Sequence, residues 1–329
     1  MFKIIDRTLT SIKLEADHPT AEMLSHMCEL LPRLGADYIE ISVPVLERIG
    51  ELPTGPKYIL KIDSIEELQK YNNFEMYVSK SKDNTLGDKV IHEIQVNDVR
   101  EIPMLSRYQD LTHVRITGLD ELMCAEYAPA IKRLKEMFKA PICLSPQNSY
   151  CCATAIAIEW LLSGGQSVAV SFAGIGGYAA LEELMMAIKV IMHKKTSVDL
   201  SILPEATMLY ETITKHKISY KKAVLGENIF VVEAGIHADG INKNPLTYEP
   251  YDPKTVGKCR KIVVGKHSGA SAIKIKLKEK GAKLSDNLVE IVLEKVRDES
   301  VTLRRSLTDI EFIHIVKEVM KSEKQKIYS

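Results

Sequence analysis

The chain has 329 residues, 45% of them apolar, which is enough to bury one large core or two modest ones. Its 44 basic residues balance 44 acidic ones, so no net field draws it to nucleic acid or an anionic membrane, and neither partner is expected. No run of eighteen apolar residues occurs, and MFKIIDRTLTSIKLEADH lacks the apolar stretch and cleavage site of a signal peptide, so the sequence reads as cytoplasmic.

Residues 2–9, FKIIDRTL, have the pattern of a buried strand. PTAEMLSHMCELLPRLG follows, with Met23, Leu24, Met27, Leu30, Leu31 and Leu34 at helical spacing and Gly35 as terminator. ADYIEISVP is a second strand, YILKIDS and FEMYVSK a third and fourth, and IHEIQV a weaker fifth, with short helices between them. From residue 113 the pattern strengthens: HVRITGL precedes a helix near 122–138, APICLSP one near 150–163, and SVAVSFAG one near 179–194. Eight strand-helix units in alternation predict an α/β fold, a (β/α)8 TIM barrel with shortened helices, over residues 1–198. A smaller, mainly helical C-terminal module is expected over 199–329, with helices near 201–220, 268–281, 285–298 and 307–321. In the third of these, Leu288, Ile291, Val292 and Val296 form a packing stripe.

Several polar positions invite a chemical reading, each beside a structural one. The six cysteines, at 28, 124, 143, 151, 152 and 259, show neither paired metal spacing nor a disulfide framework, and are expected to be reduced and buried. Cys151 and Cys152 open a helix, where a thiolate would be stabilised, but packing is the simpler role. Arg115 and Thr117 lie on the sixth strand, where inward side chains would either touch a substrate or form a buried structural pair. GIGG at 174–177 would cradle a phosphate or, more simply, make a tight strand-to-helix turn. Lys266, His267 and Ser268 precede a helix start that suits an anion, unless Ser268 merely caps it.

GIHADGINKNPLTYEPYDPKTVGKCRKIVVGKHSG, residues 235–269, resembles the segment that follows the catalytic barrel in the homocitrate synthase and isopropylmalate synthase family. These are metal-dependent TIM-barrel acyltransferases that condense acetyl-CoA with a 2-oxo acid. IIDRTL resembles the family's opening strand D-T-T-L, ADYIEISVP its second strand, and SFAGIGGYAALEELMMAIK its glycine-rich eighth-strand loop and helix. The resemblance implies that His237 and Tyr248 are catalytic, reaching into a neighbouring subunit's site, where a histidine suits proton removal near neutral pH and a tyrosine hydroxyl relays or donates a proton.

Elsewhere the chain departs from that pattern. The family's arginine, acidic metal ligand and glycine after the first strand are replaced by Thr10, Ser11 and Ile12, and its His-x-His pair by Ser145-Pro146-Gln147. GIGGYAALEE also lacks the usual Glu-Arg. No metal or other cofactor is therefore expected on this chain, because its usual ligand positions are Ser11, Ser145 and Gln147; a divalent Mg, Mn or Zn ion is expected in a partner's barrel. Asp6 matches an acidic position but is expected to order the turn.

The chain thus resembles the omega-type subunit of a split homocitrate synthase, as found in nitrogen-fixation systems, and is expected to be inactive alone. The expected partner is a catalytic barrel subunit of the same family, with acetyl-CoA and 2-oxoglutarate at the shared site. A noncatalytic scaffold or regulatory homologue, an isopropylmalate- or benzylmalate-type subunit, and a lyase with new ligands such as Asp6, Glu40 or Gln147 remain alternatives.

Overall fold

Eight parallel strands pair in sequence order and close a barrel: β1 (Lys3–Asp6), β2 (Tyr38–Ser42), β3 (Tyr58–Lys61), β4 (Met76–Ser79), β5 (Val90–Val96), β6 (Val114–Gly118), β7 (Ile142–Pro146) and β8 (Ser167–Val170). β8 returns to β1 in a register that runs from Lys3 opposite Ser167 to Asp6 opposite Val170. The computed structural model describes residues 2–124, 127–193, 197–233, 240, 244 and 247–327. All eight predicted strands are present.

Helices α1 (Ala21–Arg33), α2 (Val43–Ile49), α3 (Ile65–Lys70), α4 (Tyr127–Met137), α5 (Ala153–Leu162) and α6 (Leu181–Val190) accompany the strands. α1 starts where the Thr20 hydroxyl accepts the Met23 amide, and α3 where the Ser64 hydroxyl accepts the Glu67 amide. After β4 there is a single 3-10 turn, Asn84–Leu86, and after β5 a 3-10 stretch, Val99–Tyr108. Pro103 inside that stretch has no amide proton to give an α-helical ladder, so no full helix forms where the sequence pattern was thinnest.

Inside the barrel, side chains alternate and sort into layers. Ile5, Tyr38, Ile59, Val78, Ile91, Cys143 and Ala169 form a packed apolar floor. Two residues further along their strands, Arg7, Glu40, Glu93, Ser145 and Ser171 are buried polar groups, and Arg115 lies in register beside Glu93. Gly118, at φ +110°, ends β6 where an added Cβ would stand 2.0 Å from the Val96 carbonyl oxygen, so only glycine fits.

The chain divides into two units at residues 226 and 227, later than the 198/199 boundary expected from sequence. The reason is α7 (Leu203–Thr214), which stays with the barrel: Leu203, Ala206, Tyr210 and Ile213 are buried, the Tyr210 ring lies 5.6 Å from that of Phe172, and at the surface Glu205 meets His26 of α1 at 3.0 Å. The second unit contains a short parallel pair, β9 (Val231–Val232) and β10 (Lys261–Ile262), and helices α8 (Ala270–Glu279), α9 (Asp286–Leu303) and α10 (Asp309–Ile327). Its core joins Val264, Ile273, Leu277, Phe312 and Val316 to the α9 stripe Val289, Val292, Leu293 and Val296. That stripe is turned from the expected one: Ile291 is 39% exposed, and Leu288 is only partly buried. Buried Lys276 ties the unit together, donating to the Ile262 carbonyl at 2.8 Å and pairing with Asp309 at 2.8 Å.

Among the described residues no helix is long and apolar enough to cross a membrane. The cysteines divide, contrary to the expectation that they are all buried. Cys28 and Cys143 are buried, and burial pushes the Cys28 thiol up to about 12. Cys151 and Cys259 are exposed, because turns rather than packed elements carry them.

Candidate functional site

The barrel mouth is built from the residues that end β1, β2, β5, β6 and β7. Asp6 accepts the Thr8 amide at 2.8 Å and so orders the turn, as expected. Burial raises its carboxyl to about 7, against the lowering effect of the Thr8 hydrogen bonds. Thr8 in turn accepts the Phe172 amide at 2.7 Å, which fastens the β8 loop to the end of β1.

Arg7 follows, and its guanidinium turns into the polar layer. Nη1 donates to Ser145 Oγ at 2.8 Å, Nη2 lies 2.8 Å from Glu93, and Nε lies 3.5 Å from Glu40. Arg115 pairs with Glu40 and, at 3.3 Å, with Glu93. Two guanidinium groups thus share two carboxylates out of reach of water. Burial tends to raise Glu93, but the charges of Arg7 and Arg115 hold it below the usual carboxylate range. Burial likewise disfavours the Arg115 cation, and Glu40 outweighs it, so the group is held above its ordinary value. Of the two readings of Arg115, the buried structural pair is therefore the one found, and its expected substrate-binding role has no open surface to act on. Arg7 Nε, Arg115 Nε and Nη2, and Thr117 Oγ1 have no hydrogen-bond partner among the described residues, so Arg7 Nε meets Glu40 only as an ion pair.

The positions where the family would place metal ligands are already engaged. Ser11 Oγ donates to the Arg7 carbonyl at 3.1 Å, Ser145 Oγ takes the Arg7 hydrogen bond, and Gln147 Oε1 accepts from Gln95 at 2.8 Å. Neutral oxygens already held by other hydrogen bonds, one of them by a guanidinium, do not suit a divalent cation. The alternative set of Asp6, Glu40 and Gln147 is no better, since Glu40 is held by two arginines. Among the described residues no cluster of three or more His, Cys, Asp or Glu side chains is placed to hold a metal.

The glycine-rich loop is a turn, not a phosphate cradle. The amides of Gly174, Ile175 and Gly177 bond to the carbonyls of Ser171, Phe172 and Gly174. The loop then crosses the mouth: Gln147 bridges to Tyr178, and Gly176, at φ +76°, passes so close that a Cβ would lie 2.7 Å from Ser11 Oγ. The Tyr178 ring covers the Arg7 guanidinium at 4.3 Å.

In the second unit, His237 lies outside the described residues. Tyr248 is described and 42% exposed, with its ring against Gly240, where a Cβ would stand 2.2 Å from Cε2. Lys266 and His267 are exposed and line a cavity of about 400 Å³ with Glu233, Ser300, Arg304 and Arg305. Ser268 neither lines that cavity nor caps α8. It is buried, accepting the Gly265 amide at 2.9 Å and donating to the Glu233 carbonyl, and the cap position belongs to Gly269. Cys152 donates weakly to the Tyr150 carbonyl at 3.2 Å, and Cys151 is a left-handed turn residue at φ 58°.

Sequence reasoning missed Arg7, Glu93 and Tyr178. The available signal was an arginine in place of the first threonine of D-T-T-L, a charge at an inward position that had to find a partner.

Residues 224–302 match the family model described as homocitrate synthase post-HMGL domain-like. The homocitrate synthase omega subunit of Clostridium pasteurianum is 31% identical over 97% of this chain and 96% of its own length. Homocitrate synthase 1 of a Nostoc species is 38% identical over 57% of this chain and 51% of its own, and 2-isopropylmalate synthase 2 of Caldanaerobacter subterraneus 36% over 60% and 52%. The chain thus spans nearly all of the omega subunit, but about half of those two other relatives. Among solved structures, the HMG-CoA lyase of Bacillus subtilis aligns with a TM-score of 0.53 at 17% identity, covering 68% of this chain and 97% of the lyase, a likeness of fold.

Proposed function

Because the chain belongs to the homocitrate synthase family, we propose that it is one subunit of a split synthase and lends His237 and Tyr248 to the barrel of a partner subunit. The observation that carries this reading is an asymmetry. The post-barrel segment holding both residues matches its family model, while in the chain's own barrel mouth an arginine bonds Ser145, one of the usual ligand positions. The relative matched end to end is itself called a subunit, which supports a partnered enzyme.

The reaction fits the two side chains. Condensing acetyl-CoA with 2-oxoglutarate requires loss of a methyl proton beside the thioester, attack of the resulting carbanion equivalent on the keto carbon, protonation of the new alkoxide, and hydrolysis that releases CoA. His237 serves as base or proton carrier near neutral pH, and Tyr248 as the hydroxyl that relays or donates a proton. The half-exposed position of Tyr248 suits a group that must reach another molecule. The divalent ion and the 2-oxo acid contacts belong to the partner's barrel. Choosing 2-oxoglutarate over the isopropylmalate or benzylmalate type of substrate follows the homocitrate names among the relatives.

The test is reconstitution with a barrel subunit of the family that keeps its acidic and His-x-His ligands. Release of free CoA thiol from acetyl-CoA and 2-oxoglutarate is expected from the pair and absent from this chain alone. His237→Ala should abolish turnover of the pair, and Tyr248→Phe should cut it by about 100-fold. Full activity of the pair carrying His237→Ala refutes the proposal.

A further inference from the structure

The polar layer of the barrel poses a charge problem of its own. Glu40 is fully buried and Glu93 nearly so, and Arg115 alone would neutralise one carboxylate of the two. The second cation is Arg7, 2% exposed, which is held at 2.8 Å by the Ser145 hydroxyl and by Glu93, with the Glu40 charge 3.5 Å from its Nε. The remaining face of its guanidinium is closed by Tyr178, carried in by the glycine turn that passes over Ser11. Lys61 adds to the positive field on Glu93 from further off, and Lys82 hydrogen-bonds the Glu93 carbonyl without pairing with its carboxylate.

We propose that the Arg7 guanidinium is a built-in replacement for a bound cation, which neutralises Glu40 and Glu93 and, with Tyr178 as cover, seals this barrel mouth against divalent metal. A positive group within 2.8 Å of both Ser145 and Glu93 takes the volume and the counter-charge that a metal ion would need. The tethered cation also needs no loading step, because it is part of the chain. The inference concerns this chain by itself, so it stands or falls separately from the lending of His237 and Tyr248.

The test uses the full chain without a partner. After exhaustive dialysis, wild type should hold no stoichiometric Mn²⁺ or Zn²⁺ by calorimetric titration, and its melting temperature should not move with EDTA. Arg7→Ala, which strands two buried carboxylates on one arginine, should melt about 10 °C lower. Guanidinium chloride at tens of millimolar should restore at least half of that loss in the variant, where equal sodium chloride does not, and should not raise wild type. If Arg7→Ala fails to fold, Arg7→Lys serves instead: its ammonium keeps the counter-charge but not the planar contacts, so it should fold, melt below wild type without guanidinium rescue, and still hold no metal. One tightly held metal ion per chain of wild type or of Arg7→Lys, a fall in melting temperature of wild type with EDTA, or a folded Arg7→Ala on which guanidinium acts no better than sodium would overturn the proposal.

Discussion

Asp6→Asn should make the barrel more stable, and more so as pH rises. The asparagine keeps an oxygen to accept the Thr8 amide but has no charge to bury. In the folded chain the Asp6 carboxyl titrates at about 7 against an ordinary 3.8, so between those values the native state holds a proton that the unfolded chain has released. Stability of wild type therefore falls as pH climbs from about 4 to 7 and is flat in this respect above that. A shift of roughly three units at about 1.36 kcal/mol each corresponds to ~4 kcal/mol in favour of the variant at pH 8, and little at pH 4. Glu182, raised to about 7 by burial, gives a background slope of the same sign that remains in both proteins and largely cancels in their difference. Urea unfolding from pH 4.5 to 8.5 measures this through Trp160, the chain's single tryptophan, which is buried and donates to the Ser167 carbonyl of β8. A variant-minus-wild-type difference that stays constant across that range would refute the account.

Two further substitutions probe packing and charge. Arg115→Met leaves Glu40 and Glu93 to Arg7 alone and should cost about 3–5 kcal/mol in urea unfolding, much of it recovered when Glu40→Leu is added. Phe312→Ala empties the centre of the helical core of the second unit and should cost about 3–5 kcal/mol, seen as faster amide hydrogen exchange in α8, α9 and α10.

The strands were legible because inward and outward residues of a closed barrel are both buried, which leaves short apolar runs between turn residues. The 3-10 stretch after β5 was not, since Pro103 breaks a pattern that nothing local replaces. The boundary at 226 escaped for a related reason: α7 has an ordinary helical sequence, and its attachment to the barrel rests on a buried face whose partners, such as Phe172 for Tyr210, are distant in sequence. In the candidate site, the missing ligand set could be read directly from Ser11, Ser145 and Gln147. What filled their place could not. The link between Arg7 and Ser145 spans 138 residues, and that between Arg115 and Glu40 spans 75. One-dimensional spacing carries no trace of such partners, although charge balance demands that they exist.

The closed ring of strands has an effect on abundance as well as on shape. An open sheet presents unpaired amides and carbonyls at each end, which invite copies to stack by strand addition. Here β8 hands its hydrogen bonds back to β1, so the barrel offers no such rim, and that route to aggregation is closed to it however much of the chain a cell makes.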